Sequence, residues 1–569
     1  MASPATTISI QETLHLLDGP FAGFAQGIAE DRYAFWLGSG ISFGRVEGLR
    51  KVVPRVIEFL RAQITGNPEC RFRKALDTVL QLATLSPDEA SRLDFSRPFK
   101  DWVDAKPITS RLISKYANLL DTEVEGEAED FLLWEGVDVV STFANPSIEP
   151  DVEHICIAIL ILEGVASDIA SANWDGLIEK AVASLAGGQP ALVVCVRPED
   201  LREPDLKSRL FKFHGCAVKA GEDEFTYRPY LVARQSQILS WRSRPEHKVL
   251  VDRVIDLATI KPTLMMGLSA QDPNIQSLFA EAKERMNWPW PGERPSYLFS
   301  GDALGVDHKT LLRNVYRDEY TTSIRNLIGE SALIHAYAKP LLVALVLHVL
   351  CSKLKKLVEL APGYLGPNDQ QRLHHGLSTI RDSVAATALF DQAAFIEAFI
   401  EQSGRAITLF REGRAPTIPH IYNPITPTPV QQIAVDTNIP ASGLTEAAVA
   451  VAILGLGVED GAWTLHGEDI ADPEAGIIRI SGTASSARIF FVLNSHAAVW
   501  LQHNGHVADN DRTILIHSKE KVPPMRRSPR SAPGRTGKTG LREVSISALL
   551  NDATTVDALV QRFREEIAL

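Results

Sequence analysis

From about residue 33 the chain repeats one pattern: a short apolar run, then glycine or small polar residues, then a helical period. Residues 33–37 (YAFWL) run into Gly38-Ser39-Gly40, as a buried strand does when it ends in a tight turn. Behind Gly48, the residues Val53, Ile57, Leu60 and Ile64 fall at helical spacing, which predicts a helix. The pattern returns at 168–171, before Ala172-Asn173-Trp174-Asp175 and a helix over 176–186. It returns again at 191–196, at 210–213 before His214-Gly215, at 263–266 before Gly267-Leu268-Ser269, and at 296–299 before Ser300-Gly301-Asp302. Apolar strands separated by helices predict an α/β fold, a Rossmann-like parallel sheet buried on both faces. Ligands of such sheets bind at the carboxyl ends of the strands, where these polar residues fall.

Other stretches break the pattern. Residues 66–150 are acidic, helix-favouring and free of strand alternation, and read as a helical insertion. Residues 306–412 read as helical, with Phe395, Ile396, Phe399 and Ile400 forming one stripe behind a capping Asp391. From 413 the chain is proline-rich and then alternates turns with strand candidates at 477–480, 487–493, 498–502 and 513–516. Asn504-Gly505 reads there as a hairpin turn. The expected division is 1–305 for the sheet domain, 306–412 for a helical segment, and 413–569 for a small β-rich C-terminal domain. A chain of 569 residues exceeds one compact core, so several domains are expected.

Composition narrows the setting. With 45% hydrophobic and 22% charged residues the chain is ordinary globular protein, and its net charge of −12 excludes a surface given over wholly to nucleic acid. Against that balance, residues 519–542 hold eight Lys/Arg and one acid. Two readings stand: contact with nucleic acid or an acidic partner, or a solvated proline-containing loop. Five scattered cysteines without a CxxC pair argue for a reducing compartment and against a disulfide framework or structural zinc. The first residues lack a signal-peptide pattern, and the longest apolar run, 341–351, is broken by His348 and too short for a bilayer. The expected setting is the cytoplasm, with no membrane contact.

Each strand end offers candidate chemistry beside an ordinary alternative. Gly38, Ser39, Gly40 and Ser42 form a strand-to-helix turn suited to a phosphate, and a plain structural turn has the same composition. Asn173 and Asp175 suit a hydroxyl, a water or an amide, and either serves equally as a helix cap. His214 at a strand end can act as a base near neutral pH, or be a hydrogen-bonded core histidine. Gly267 and Ser269 sit in what is, singly, a loop. His503 and His506 suggest no metal site beyond the hairpin reading.

Taken in order, these motifs resemble the sirtuin superfamily, in particular its divergent bacterial branch. Gly-Ser-Gly-Ile-Ser at 38–42, Ala-Asn-Trp-Asp at 172–175, His214-Gly215 and Gly-Leu-Ser at 267–269 are similar to that family's successive motifs over residues 30–302. The resemblance implies that NAD+ is the substrate, with its phosphates on Gly38, Ser39, Gly40 and Ser42. It implies that Asn173 positions the nicotinamide ribose or the attacking water and Asp175 the carboxamide. Gly267 and Ser269 would then contact the adenosine ribose, with His214 the base. The four-cysteine zinc module of the deacetylating members is missing, so no zinc is expected. Gly48-Leu49-Arg50-Lys51 stands where those members carry an Asp and a water-shielding Phe. Water is therefore the expected acceptor, as in the antiphage defence NADases of the bacterial branch. The resemblance also implies control through the C-terminal half, by homo-oligomer assembly, a HerA-type ATPase or an Argonaute. A non-catalytic NAD or ADP-ribose sensor, and a deacylase or ADP-ribosyltransferase, are the competing expectations.

Overall fold

The computed structural model describes residues 4–204, 208–363, 365–388, 391–417, 420–469, 472, 475–483, 485–507, 510–519 and 540–569. The apolar runs become a seven-stranded sheet, β1 (Ala34–Leu37), β2 (Asp168–Ser171), β3 (Leu192–Cys195), β4 (Ser208–Lys212), β5 (Thr263–Met266), β6 (Tyr297–Ser300) and β7 (Leu333–Ile334). Its spatial order is β3-β4-β2-β1-β5-β6-β7, and every neighbouring pair is parallel. Alternation explains why the runs are apolar throughout. Phe35, Leu37, Leu264, Met266 and Leu298 enter one core, while Ala34, Trp36, Met265, Tyr297 and Phe299 enter the core on the opposite face. Strand β4 begins at Ser208 and stops at Lys212, so His214 lies clear of the sheet. The sheet also runs past residue 305, because β7 pairs with β6 through Phe299–Leu333 and Ser300–Ile334. At two residues, β7 is too short to show a period of its own.

The 66–150 region is helical, with helices such as Arg71–Leu82 and Ala105–Ile113 around a core that they share with the helix Leu49–Ala62 and with Ala217, Ala220, Leu231 and Ala233. It is tied to the main body by Arg228 on Asp130 at 2.7 Å and by Arg234 on Glu129 at 3.0 Å. After β7 come the long helices Ala338–Glu359, Pro367–Ala386 and Gln392–Glu412.

A second, mixed sheet follows, formed by β8 (Thr464–Gly467), β9 (Ile478–Ser481), β10 (Ser486–Val492), β11 (Thr513–His517) and β12 (Arg542–Ser545). Its order is β12-β11-β10-β9-β8, with helices such as Leu444–Glu459 and Val556–Ile567 in the same core. Two expectations are corrected here. Residues 498–502 are not a strand but part of the helix Ser495–His503, which Asn494 caps by accepting from the His496 and Ala497 N–H groups. Asn504-Gly505 is accordingly a helix stop and not a hairpin. Gly505 takes a positive φ of 75°, and the His506 N–H returns to the Leu501 carbonyl at 3.0 Å. Five residues of alternating pattern fit either element, and the capping Asn494 decides. Most of the basic stretch 519–542, residues 520–539, lies outside the described residues. Among the described residues no helix is long and apolar enough to cross a membrane.

Candidate functional site

The site lies along the carboxyl edge of four adjacent strands, β4-β2-β1-β5. The chain leaves β1 for β2 on one side and returns to β5 on the other, so the strand order reverses at β1, where an open parallel sheet has its crevice.

The turns after β1 and β5 meet backbone to backbone. Gly38 N–H donates to the Met266 carbonyl and Gly40 N–H to the Gly267 carbonyl, each at 3.0 Å. A Cβ on Gly40 would stand 2.5 Å from Gly267 Cα, and one on Gly267, whose φ is +63°, would stand 2.6 Å from the Ile41 nitrogen. Glycine is needed at these positions for the packing of the two turns themselves. Ser39, Gly40, Gly267 and Ser269 lie at the exposed rim, whereas Ser42, Asn173, Asp175 and His214 are buried.

Beneath the rim the β1 and β2 ends share one hydrogen-bond network. Asn173 Nδ2 donates to the Gly38 carbonyl at 3.1 Å and approaches Ser42 Oγ at 3.5 Å. Ser42 Oγ donates to Asp175 Oδ2 at 3.0 Å and lies 3.1 Å from His154 Nε2. His154 stands in the first turn of the helix Val152–Leu162, and its Nδ1 accepts the Asp151 N–H at 3.1 Å. A backbone N–H can only donate, so Nδ1 carries no proton and Nε2–H is the group that faces Ser42. The sequence expectations therefore meet in a relay: Asp151 N–H to His154, His154 to Ser42, Ser42 to Asp175. Burial pushes the His154 imidazole below its usual range against the pull of Asp175 and Asp151, in keeping with a neutral ring. Among the described residues, Asn173 Oδ1 has no hydrogen-bond partner within the protein.

His214 belongs to the next strand end along. Trp174 Nε1 donates to its carbonyl at 2.9 Å, joining the β4 turn to the β2 turn, but its ring is outside the Ser42 network. The ring packs edge-on against Phe213 and Trp241 at centroid distances of 4.7 and 5.6 Å. Its buried Nε2 has no hydrogen-bond partner and lies 3.5 Å from Asp272 Oδ2. Burial lowers the His214 pKa and Asp272 raises it, with burial the stronger, so the ring is neutral near pH 7. Asp272 caps the helix Pro273–Arg285 by accepting from the Asn274 N–H.

Below these turns lies Lys212, a fully buried ammonium. It donates to the Asp175 carbonyl and to Glu179 Oε1 and sits 3.3 Å from Cys216 Sγ. Burial pushes this ammonium down, but Cys216, Glu179 and Asp175 hold it well above its usual range. It thus fixes the backbone that presents Asp175.

His154, Lys212 and Asp272 were not singled out from the sequence. A lone histidine at the head of the apolar run ICIAILIL, and an Asp-Pro pair opening a helix, were the available signals. Among the described residues no group of three or more His, Cys, Asp or Glu side chains is placed to hold a metal ion.

The fold and site thus define a parallel α/β protein with a buried polar hydrogen-bond network at the turns where its strand order reverses. Residues 167–321 match the sequence model of a family described as SIR2-like domain, and such a domain implies NAD binding and NAD-dependent activity. The match takes in Asn173, Asp175, His214, Gly267, Ser269 and Asp272, and leaves the Gly38–Ser42 turn and His154 outside. A solved structure described as "Structural Basis for the Mechanism and Regulation of Sir2 Enzymes" aligns with 58% of this chain and 98% of its own, at 14% identity and a TM-score of 0.25. No curated protein matches the chain.

Proposed function

We propose that the chain is an NAD+ glycohydrolase, cleaving the nicotinamide–ribose bond to give nicotinamide and ADP-ribose, and acting by NAD+ depletion in bacterial antiphage defence. The observation that supports the chemistry is the presence at neighbouring strand ends of Asn173, whose amide nitrogen is spent on the Gly38 carbonyl, and of the neutral His214 ring, whose Nε2 is unpartnered beside the Asp272 carboxylate. In this reading the C1′–N bond breaks with its electron pair passing to the nicotinamide nitrogen. The leaving group departs neutral and needs no acid. The ribosyl centre takes on oxocarbenium character, and a water adds to C1′ while its proton passes to His214. Asn173 orients that water. Asp175 receives the carboxamide, the Gly38–Ser42 turn the phosphates, and Gly267 with Ser269 the adenosine ribose. Asp272 holds the His214 ring in place and raises its basicity.

Such an activity must be restrained in a living cell. The C-terminal half is the part on which a HerA-type ATPase, an Argonaute or further copies of the chain would act, and the basic 519–542 stretch is the candidate nucleic-acid contact. The reaction is tested in ¹⁸O-labelled water, where hydrolysis places the label in ADP-ribose at the carbon that bore nicotinamide. ADP-ribose bound without nicotinamide release would mark a sensor instead, and label-free product would mark a different acceptor.

A further inference from the structure

The helix Ala338–Glu359 belongs to both halves of the molecule. Leu341, Leu342 and Leu345 pack in the core that holds Phe35, Ile169 and Leu264 of the parallel sheet. Cys351, Leu357 and Val358 pack in the other half's core with Ile480, Ile489 and Ile514. Beside it runs Val152–Leu162, the helix that carries His154.

Two lysines grip the ends of that neighbour. Lys339 Nζ lies 3.1 Å from Oδ2 of Asp151, the N-terminal cap. Lys353 Nζ binds the buried carboxylate and carbonyl of Glu163, the C-terminal cap. The lysines are separated by about 21 Å of helix and the two caps by about 18 Å, so the helices run side by side in one direction. At the Glu163 end the grip includes the C-terminal half. Tyr422 Oη and Ile425 N–H donate to Glu163 Oε1 at 2.6 and 3.0 Å, and Lys353 donates to the Thr426 carbonyl at 2.6 Å.

The Asp151 end is the first member of the site's relay. The Asp151 side chain accepts the Val152 N–H at 2.8 Å and pairs with Arg45 at 3.2 Å, while its backbone N–H sets the His154 tautomer. Arg45 N–H returns to the Ser42 carbonyl at 3.1 Å. Asp151 is therefore held between Lys339 and the loop that carries Ser42. Lys339 also lies 3.7 Å from the buried Glu153 carboxylate.

Resting on the NAD+ reading above, we propose that Lys339, outside the matched region, is a positioning residue of the site. It acts through Asp151 on the His154–Ser42–Asp175 relay and gives the C-terminal half a mechanical path to the reaction. Lys339 is about one-third exposed, so an ion pair of this kind carries a modest effect.

The test uses the full-length chain with Lys339→Met, which keeps the aliphatic stem, and Lys339→Arg, which keeps the charge. Hydrogen–deuterium exchange is read over residues 38–48 and 151–163 together with NAD+ kinetics. Lys339→Met is expected to exchange about threefold faster at 38–48 and to raise KM about threefold with kcat nearly unchanged, and Lys339→Arg to restore both. Unchanged exchange at 38–48 overturns the proposal. So does an increase spread evenly over the chain that the arginine fails to reverse, because that is loss of global stability. Should Lys339→Met not fold, Asp151→Asn removes the same ion pair while keeping a side-chain cap and the backbone N–H, and is judged by the same exchange. If the wild-type protein turns over no NAD+, the hydrolase reading fails while the exchange data still decide the role of Lys339.

Discussion

His154 and His214 are both buried neutral imidazoles, and their surroundings assign them different work. His154 has both nitrogens engaged, one by Asp151 N–H and one by Ser42, so it is a support. His154→Leu leaves the Ser42 and Asp151 groups short of a partner, and urea titration is expected to show a loss of about 1–3 kcal/mol. His214 has a buried nitrogen without a hydrogen bond and a carboxylate 3.5 Å away. Removing the Asp272 charge takes away the one influence that raises the His214 pKa. A base must be unprotonated to act, so in Asp272→Asn the acid limb of the pH–rate profile for nicotinamide release should move to lower pH. A limb that stays in place would assign it to another group. Residue identities at the strand ends were legible from the sequence because each follows an apolar run. His154, Lys212 and Asp272 were not, since Ser42, Asp175 and His214, the groups that tie them to the site, lie far along the chain and spacing carries no record of them.

At the scale of elements, the turns after β1 and β5 act as one unit. A methyl group on Gly40 would collide with the Gly267 backbone, which has no flexible end to yield. Gly40→Ala is expected to lower stability by about 1–3 kcal/mol and to weaken NAD+ binding, as calorimetry and thermal unfolding together would reveal. Elements were readable wherever their period was long or their burial two-sided, as for β1, β2, β3 and β5. Reading failed where five residues fitted two periods, at 498–502. It failed also for β7, whose place depends on pairing with β6 and on no pattern of its own.

Across the whole molecule, burial leaves five histidines among the described residues, His154, His214, His247, His348 and His374, with pKa values below the usual range, about 4 for His247 and His348. An unfolded chain takes up protons on these rings as pH falls through about 6.5, while the folded chain keeps them neutral to lower pH, His247 and His348 until about pH 4. Stability is thus fully present above about pH 6.5 and declines toward pH 4. The slope is about 1.4 kcal/mol per pH unit for each ring concerned. Melting temperatures measured between pH 7 and 5 should fall steeply; a flat profile would mean that these rings are accessible to protons in the folded state. The same burial joins the two halves, since the helix Ala338–Glu359 serves both cores.

Whether His214 is the base is decided by nicotinamide release from NAD+ by the full-length protein, measured beside His214→Ala and Asn173→Ala variants that still bind NAD+. The wild type is expected to release nicotinamide and ADP-ribose in equal amounts, and either variant to lose at least about a hundredfold. Equal turnover in wild type and His214→Ala, or binding by the wild type with no release, would contradict this reading.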